Sequence, residues 1–304
     1  MSESFFFRTF AGVFGKSMAF VATIGFFDGV HVGHQFLLST LRQQAAQRAM
    51  KAAVITFEEH PRSVLYGTSP ALLTTYEERT ALLKQQALDE IYVFQFDVIR
   101  DMTSAEFLHL LHDRCEVYVL LMGYDHQFGS DGKKTMAEYQ RLGKEAGVEV
   151  LPITQAPEGD VSSSKIRRLL LTGDVSNANA MLGRPYALQG TVVHGRGLGR
   201  KIGFPTANIR VDNKDKLIPS DGVYAVQVMT ADNCTRKAVL NIGTNPTVGG
   251  EERTLEVHIP DFSGDLYNQP IDIKFARHIR EERKFTSLDV LRKQIRQDLI
   301  SLDE

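Results

Sequence analysis

Five short apolar runs, separated by stretches with helix start signals, constrain the first 180 residues to an alternating strand–helix order. The runs span residues 19–24, 52–57, 91–96, 117–122 and 149–153, each suited by length and composition to a buried strand. Between them, Thr75-Tyr-Glu-Glu78 and Thr103-Ser-Ala-Glu106 have capping-box spacing, residues 36–50 read as helix, and Gly147 stands where a helix would be capped. This order predicts an α/β domain, a parallel sheet with helices on its faces. Ligands of such sheets bind at the carboxyl ends of strands. After Leu182 the pattern changes. Residues 166–171 and 173–179 read as helix, Gly183-Arg-Pro185 ends them, and strands are expected at 190–193, 222–229, 237–242, 254–259 and 271–275. Residues 287–302 form one amphipathic helix. The expectation is a small antiparallel barrel closed by a terminal helix, with a domain boundary near residue 183.

Composition narrows the function classes. The 304 residues carry a net charge of −2 with no long basic block, so nothing favours nucleic acid as a partner. The two cysteines, Cys115 and Cys234, are far apart and outside any C-x-x-C, which argues against a disulfide scaffold or a cysteine zinc site. Residues 1–20 lack the pattern of a signal peptide, and no apolar run approaches membrane-spanning length. A cytoplasmic protein without a membrane partner is expected. Oligomeric state is left open.

Chemistry concentrates at the first strand-to-helix turn, Gly25-Phe-Phe-Asp-Gly-Val-His-Val-Gly-His34. It places His31 and His34 three residues apart beside the amides of a helix start, where phosphate is attracted. Taken alone, the pair serves equally well as a helix cap. A second anion site is read at Val161-Ser-Ser-Ser-Lys-Ile-Arg167, where three hydroxyls, Lys165 and Arg167 crowd one helix start. Simple N-capping by Ser162 or Ser163 explains one serine but not the basic pair. Gly123-Tyr-Asp-His-Gln-Phe-Gly129 and Thr56-Phe-Glu-Glu-His-Pro-Arg62 follow strands too, so four polar loops are expected on one rim of the sheet. His109 and His112 are read as ordinary helix residues.

In the second half, residues 190–208 combine glycines with basic residues, and Gly195, Gly197, Gly199 and Gly203 permit close backbone approach to phosphates. A flexible barrel loop explains the glycines equally. Thr206 and Asn208, in Pro205-Thr-Ala-Asn208, present neutral oxygens on one side of an extended chain, as a hard cation such as Mg²⁺ uses. Leu255, Val257 and Ile259 alternate inward, which leaves Thr254, Glu256 and His258 together on the other face, either as a solvated strand or as a site.

Together, G-x-F-D-G-V-H-x-G-H, G-x-D-x-x-F-G and S-S-x-x-I-R resemble the FMN adenylyltransferase module of bacterial bifunctional riboflavin kinase/FAD synthetases. P-T-A-N with the segments around Asn241 to Thr247, Glu256 and Asp261 to Tyr267 resembles their riboflavin kinase module. The resemblance implies a Rossmann-like nucleotidyltransferase domain over 1–183 and a six-stranded barrel over 184–304. It implies phosphorylation of riboflavin to FMN and adenylylation of FMN to FAD, each with ATP and Mg²⁺, with pyrophosphate released in the second step. By the same resemblance His31 and His34 hold ATP phosphates and act in adenylyl transfer, with Gly25, Phe27 and Asp28 beside them. Asp125 binds nucleotide or metal, and Ser163, Ser164 and Arg167 grip the triphosphate. Gly195, Gly199, Lys201, Gly203, Thr206 and Asn208 serve the second ATP, Thr206 and Asn208 hold its Mg²⁺, and Glu256 is the general base. Asn245 and Arg280 are assigned to the flavin. His126 stands where the family usually has an aromatic residue, and Glu59 where Pro is frequent. A module serving another phosphorylated acceptor, or a flavin-binding sensor, are the alternatives.

Overall fold

A computed structural model describes residues 7–8, 19–123, 126–153, 161–195, 197–247 and 250–303. Its contacts group into two units, Met1–Ser162 and Ser163–Glu304. The first unit runs β1 (Phe7–Arg8), β2 (Phe20–Ile24), α1 (Val32–Gln47), β3 (Lys51–Phe57), α2 (Pro61–Tyr66), α3 (Tyr76–Lys84), β4 (Glu90–Phe94), α4 (Phe96–Ile99), α5 (Ser104–Cys115), β5 (Val117–Gly123), α6 (Met136–Ala146) and β6 (Glu149–Ile153). The sheet order is β1-β4-β3-β2-β5-β6, with every pair parallel except β1 on β4. The five apolar runs are the five parallel strands. In β2, β3 and β4 residues are buried on both sheet faces, as in Val21 and Ala22 of β2 or Val54 and Ile55 of β3, which is why they read as continuous apolar runs, whereas the edge strand β6 leaves Glu149 and Pro152 exposed. Both expected capping boxes form, at Thr75/Glu78 and Thr103/Glu106. Thr135/Glu138 adds a third, and Gly147 caps α6 with φ 81°. The chain leaves β2 for β3 and β4 on one side, then returns to place β5 and β6 on the other. The loop after β2 therefore sits at the switch point, at the carboxyl edge of the sheet.

The second unit opens with α7 (Ser163–Leu171) and α8 (Val175–Leu182). It continues through β7 (Ala187–Val193), α9 (Leu198–Lys201), β8 (Ala207–Val211), β9 (Gly222–Met229), β10 (Thr235–Thr247), β11 (Gly250–His258), β12 (Pro270–Arg280) and α10 (Leu288–Ile300). The six strands close into a barrel, β10-β11-β8-β7-β12-β9, all antiparallel. The fold class expected from the sequence holds for both units. The barrel interior is filled by Leu188, Val226, Leu240, Leu255, Ile273 and Phe275. The α7–α8 pair groups with the barrel: Ser220 N–H donates to Leu170 O, and Asn179 Nδ2 donates to Phe275 O at 2.9 Å. At the far end Arg280 fastens α10, its Nε and Nη2 donating to the buried Asp298 carboxylate at 2.8–3.2 Å.

Candidate active sites

In the first unit the site is a strained turn. Phe27 (φ 57°), Gly29 (φ 79°) and Val30 (φ 39°) all take positive φ between β2 and α1, a cost that surrounding contacts must offset. Asp28 supplies them. It is 3% exposed, and its carboxylate accepts the N–H of Leu73 at 3.1 Å and of Thr74 at 3.0 Å. Gly29 N–H donates in turn to Thr74 Oγ1. Asp28 is thus the turn's fastening, placed beside the histidines rather than held open toward solvent.

The turn delivers His31 as the N-cap of α1. Its Nδ1 accepts from the His34 backbone N–H at 3.3 Å, and the two rings stack with centroids 3.6 Å apart and planes 16° apart. Phe27 also meets the His34 ring, edge-on at 5.2 Å. Burial, and secondarily the neighbouring His31, hold the His34 pKa well below its usual value. His34 Nδ1 is sealed from solvent with no partner among the described residues. The helix therefore begins four residues earlier than the sequence indicated, because His31 caps it. The capping reading holds: the His31 ring closes the helix start, and the His34 ring stacks on it. Gly25 opens the turn against the Phe27 ring, and the Val161 carbonyl lies 3.7 Å from where a Cβ on Gly33 would stand.

The loops after β3 and β5 share this edge by topology. Of residues 56–62, expected as a polar loop, Thr56 and Phe57 complete β3 and Pro61 and Arg62 open α2, which His60 Nδ1 caps. Glu59 is exposed, and His126 tilts on Phe128 at 6.4 Å. Ser163 and Ser164 open α7, with Arg167 one turn on. Asp125 lies outside the described residues. Arg79 on α3 escaped the sequence reading. It is 1% exposed, its Nη2 donates to Phe57 O and Glu58 O, and burial lowers its pKa to about 10. The available signal was its place on the stripe of Tyr76, Thr80 and Leu83.

In the second unit the site is a row across the barrel wall. Glu256 on β11 stands directly opposite Asn208 on β8 and Asn241 on β10, and directly opposed residues share a sheet face. Thr206 Oγ1 donates to Glu256 Oε2 at 3.1 Å. Leu255, Val257 and Ile259 point inward as expected, 3%, 1% and 7% exposed. His258 fastens the P-T-A-N segment, its Nδ1 lying 2.7 Å from Pro205 O.

The glycine loop lies over this row. A Cβ at Gly195 would collide with the Asn208 amide, and one at Gly199 with Phe204 O and the Thr206 hydroxyl. Gly203 turns the chain with φ 85°. A half-open cavity of about 360 Å³ adjoins Thr206, walled by Val192, Arg200, Phe262 and Tyr267 among others and lined by polar and apolar atoms alike, of a size that small ligands occupy. His194 stacks on Tyr267 at 3.9 Å beside it.

Arg280 is engaged by Asp298 and by Glu281 O, which makes it a strut of the α10 end. The side chains of Lys201 and Asn245 lie outside the described residues. No group of three or more His, Cys, Asp or Glu that would hold a metal occurs among the described residues. Hard oxygen donors do meet at Thr206, Asn208 and Glu256, and that donor set fits Mg²⁺, which takes few protein ligands and shares the rest with water and phosphate.

Comparison with known proteins bears on both sites. Residues 15–166 match the FAD synthetase family model, and residues 182–304 match the riboflavin kinase model. The chain is 37% identical over 290 residues to a bifunctional riboflavin kinase/FMN adenylyltransferase of Escherichia coli K12, covering 93% of this chain and 92% of the relative. It is 38% identical over 282 residues to that of Haemophilus influenzae, covering 91% of each, and 35% identical over 285 residues to that of Bacillus subtilis, covering 91% and 90%. The crystal structure of a macrolide-efflux protein from Streptococcus pneumoniae superposes with a TM-score of 0.85 at 33% identity, covering 95% of each chain. No described helix of this chain is long and apolar enough to cross a membrane. Both family models in order along one chain, and relatives matched over nine-tenths of their length, place this protein in the bifunctional riboflavin kinase/FMN adenylyltransferase family.

Proposed function

We propose that the chain runs its family's two reactions at the two sites described above, with residues 1–183 as the adenylyltransferase and 184–304 as the kinase. Membership makes it an enzyme of flavin biosynthesis that phosphorylates riboflavin to FMN and adenylylates FMN to FAD, with ATP as donor in both steps. The family-model spans, 15–166 and 182–304, support the division.

At the barrel, the riboflavin 5′-hydroxyl oxygen attacks the γ-phosphorus of ATP, its proton passes to Glu256, and ADP leaves. The observation that carries this is the Thr206–Glu256 hydrogen bond within the Asn208–Glu256–Asn241 row. It fixes one carboxylate oxygen and leaves the other to take the proton. Thr206 and Asn208 would hold Mg²⁺, which when bound neutralises charge on the nucleotide phosphates. Gly195, Gly199 and Gly203 allow backbone amides near those phosphates, with Lys201 as a cation. The cavity beside Thr206 takes the nucleoside. Asn245 and Arg280 are assigned to the flavin, Arg280 being held in place by Asp298.

At the β2–α1 turn, an FMN phosphate oxygen bonds to the α-phosphorus of ATP, the α–β bridge breaks, and pyrophosphate leaves. His31 and His34 with the first α1 amides stabilise the phosphates, Gly25, Phe27 and Asp28 hold their turn, and Asp125, Ser163, Ser164 and Arg167 complete the nucleotide contacts. No side-chain nucleophile is required. The substrates are small molecules, no nucleic acid takes part, and the setting is cytoplasmic, in keeping with one buried and one exposed free cysteine.

Incubation of the purified chain with riboflavin and Mg-ATP tests the reading: FMN appears first and FAD follows, and chelation of Mg²⁺ stops both. Flavin binding without turnover would reject it.

A further inference from the structure

Arg79 lies on α3, outside every carboxyl-edge loop, yet its guanidinium touches two of them. Nη2 donates to Phe57 O at 2.6 Å and to Glu58 O at 3.1 Å, where β3 ends and the chain runs toward His60. Its flat face lies 3.9 Å from the ring centroid of Phe26, in the loop between β2 and His31. Phe26 in turn meets the His60 ring at 4.6 Å. The segment leading into the same helix holds Asp28 through Leu73 and Thr74. Arg79 is 1% exposed, and its Nε is sealed without a partner among the described residues.

A buried guanidinium carries a desolvation cost that a well-packed apolar side chain would avoid. Fold stability alone is therefore a poor account of it. What only a planar, charged fork supplies is a donor shared between two carbonyls together with a face stacked on an aromatic ring. Those contacts tie the loop that leads into His31 and the start of α1 to the loop that carries His60. Adenylyl transfer needs the acceptor oxygen in line with the α-phosphorus, and rate falls steeply with small misplacements.

We propose that Arg79 is a positioning residue for adenylyl transfer, locking the loop after β2 to the loop after β3 and so setting the spacing of the groups they carry. The proposal rests on the assignment of His31 and His34 to the adenylyl-transfer site. Arg79→Lys keeps the charge and loses the planar face. Phe26→Leu removes the ring beneath the guanidinium and leaves both carbonyl bonds.

The test uses the full-length chain, with FAD formation from supplied FMN, riboflavin phosphorylation and thermal unfolding measured on each sample. Both variants are expected to lower kcat for FAD formation about tenfold or more while KM for ATP stays within about threefold. Riboflavin phosphorylation, assigned to the other unit, is expected within about twofold of the unsubstituted chain, and thermal unfolding gives the folded fraction of the substituted unit. An FAD-formation kcat, per folded molecule, within about twofold of the unsubstituted chain in both variants overturns the proposal. If His31→Ala and His34→Ala also keep full adenylylation, the site assignment falls with it. If those two lose activity while Arg79→Lys and Phe26→Leu do not, only the role of Arg79 falls.

Discussion

Glu256 and Thr206 are joined by a 3.1 Å hydrogen bond across fifty residues of sequence, the hydroxyl donating to the carboxylate on the face that Asn208 shares. The bond aligns one carboxylate oxygen and leaves the strand interior to Leu255 and Val257.

Glu256→Gln is expected to lower riboflavin phosphorylation by about 100-fold or more, the scale of a lost general base. FAD formation from supplied FMN should continue at its normal rate, since that reaction is assigned to the other unit. Flavin products separated by chromatography check both, and normal FMN formation would remove Glu256 from its role.

His31→Ala and His34→Ala are expected to give the opposite pattern. Each removes one ring of the stacked pair at the α1 start, and FAD formation should fall about 100-fold with riboflavin phosphorylation intact. Single-substrate assays on both variants decide it.

Gly195→Ala would place a methyl against the Asn208 amide. That side chain can swing aside, so the barrel should survive while Asn208 leaves the Glu256 face. The expected result is a kinase KM for ATP raised about tenfold, with FAD formation from FMN unchanged.

Asp28→Asn is expected to destabilise the first unit by about 1–3 kcal/mol. One acceptor oxygen becomes an NH₂ group facing the N–H donors of Leu73 and Thr74. Denaturant unfolding measures the loss.

Acid should weaken the same unit through His34. Burial, then His31, lowers its folded pKa below the ordinary 6.5. As pH falls below about 6.5 the unfolded chain gains a proton that the fold resists, so stability present above that value is lost on the way down. Unfolding midpoints from pH 7 to 5 should decline, and His34→Gln should flatten the decline.

The strand–helix alternation and most of the barrel strands were legible where burial leaves a simple record, whereas the order of strands in the sheet was not. Parallel strands covered on both faces are continuous apolar runs, and β11 alternates because only one face is inside. Strand β8 left no such record, since Ile209 is its one fully buried apolar residue, and barrel closure rather than local pattern recruits it. The motifs that carry His31, His34, Thr206, Asn208 and Glu256 were equally legible, since each is short and its spacing carries local geometry. What the chain's order cannot encode locally is who meets whom at distance. Asp28 finds Leu73 and Thr74, Arg79 finds Phe26 and Phe57, and Glu256 finds Asn208 and Asn241 only through tertiary packing and strand register. The reason is physical. Periodicity and capping arise from neighbours within a few residues, whereas a buried charge is placed by partners that only the assembled fold brings near.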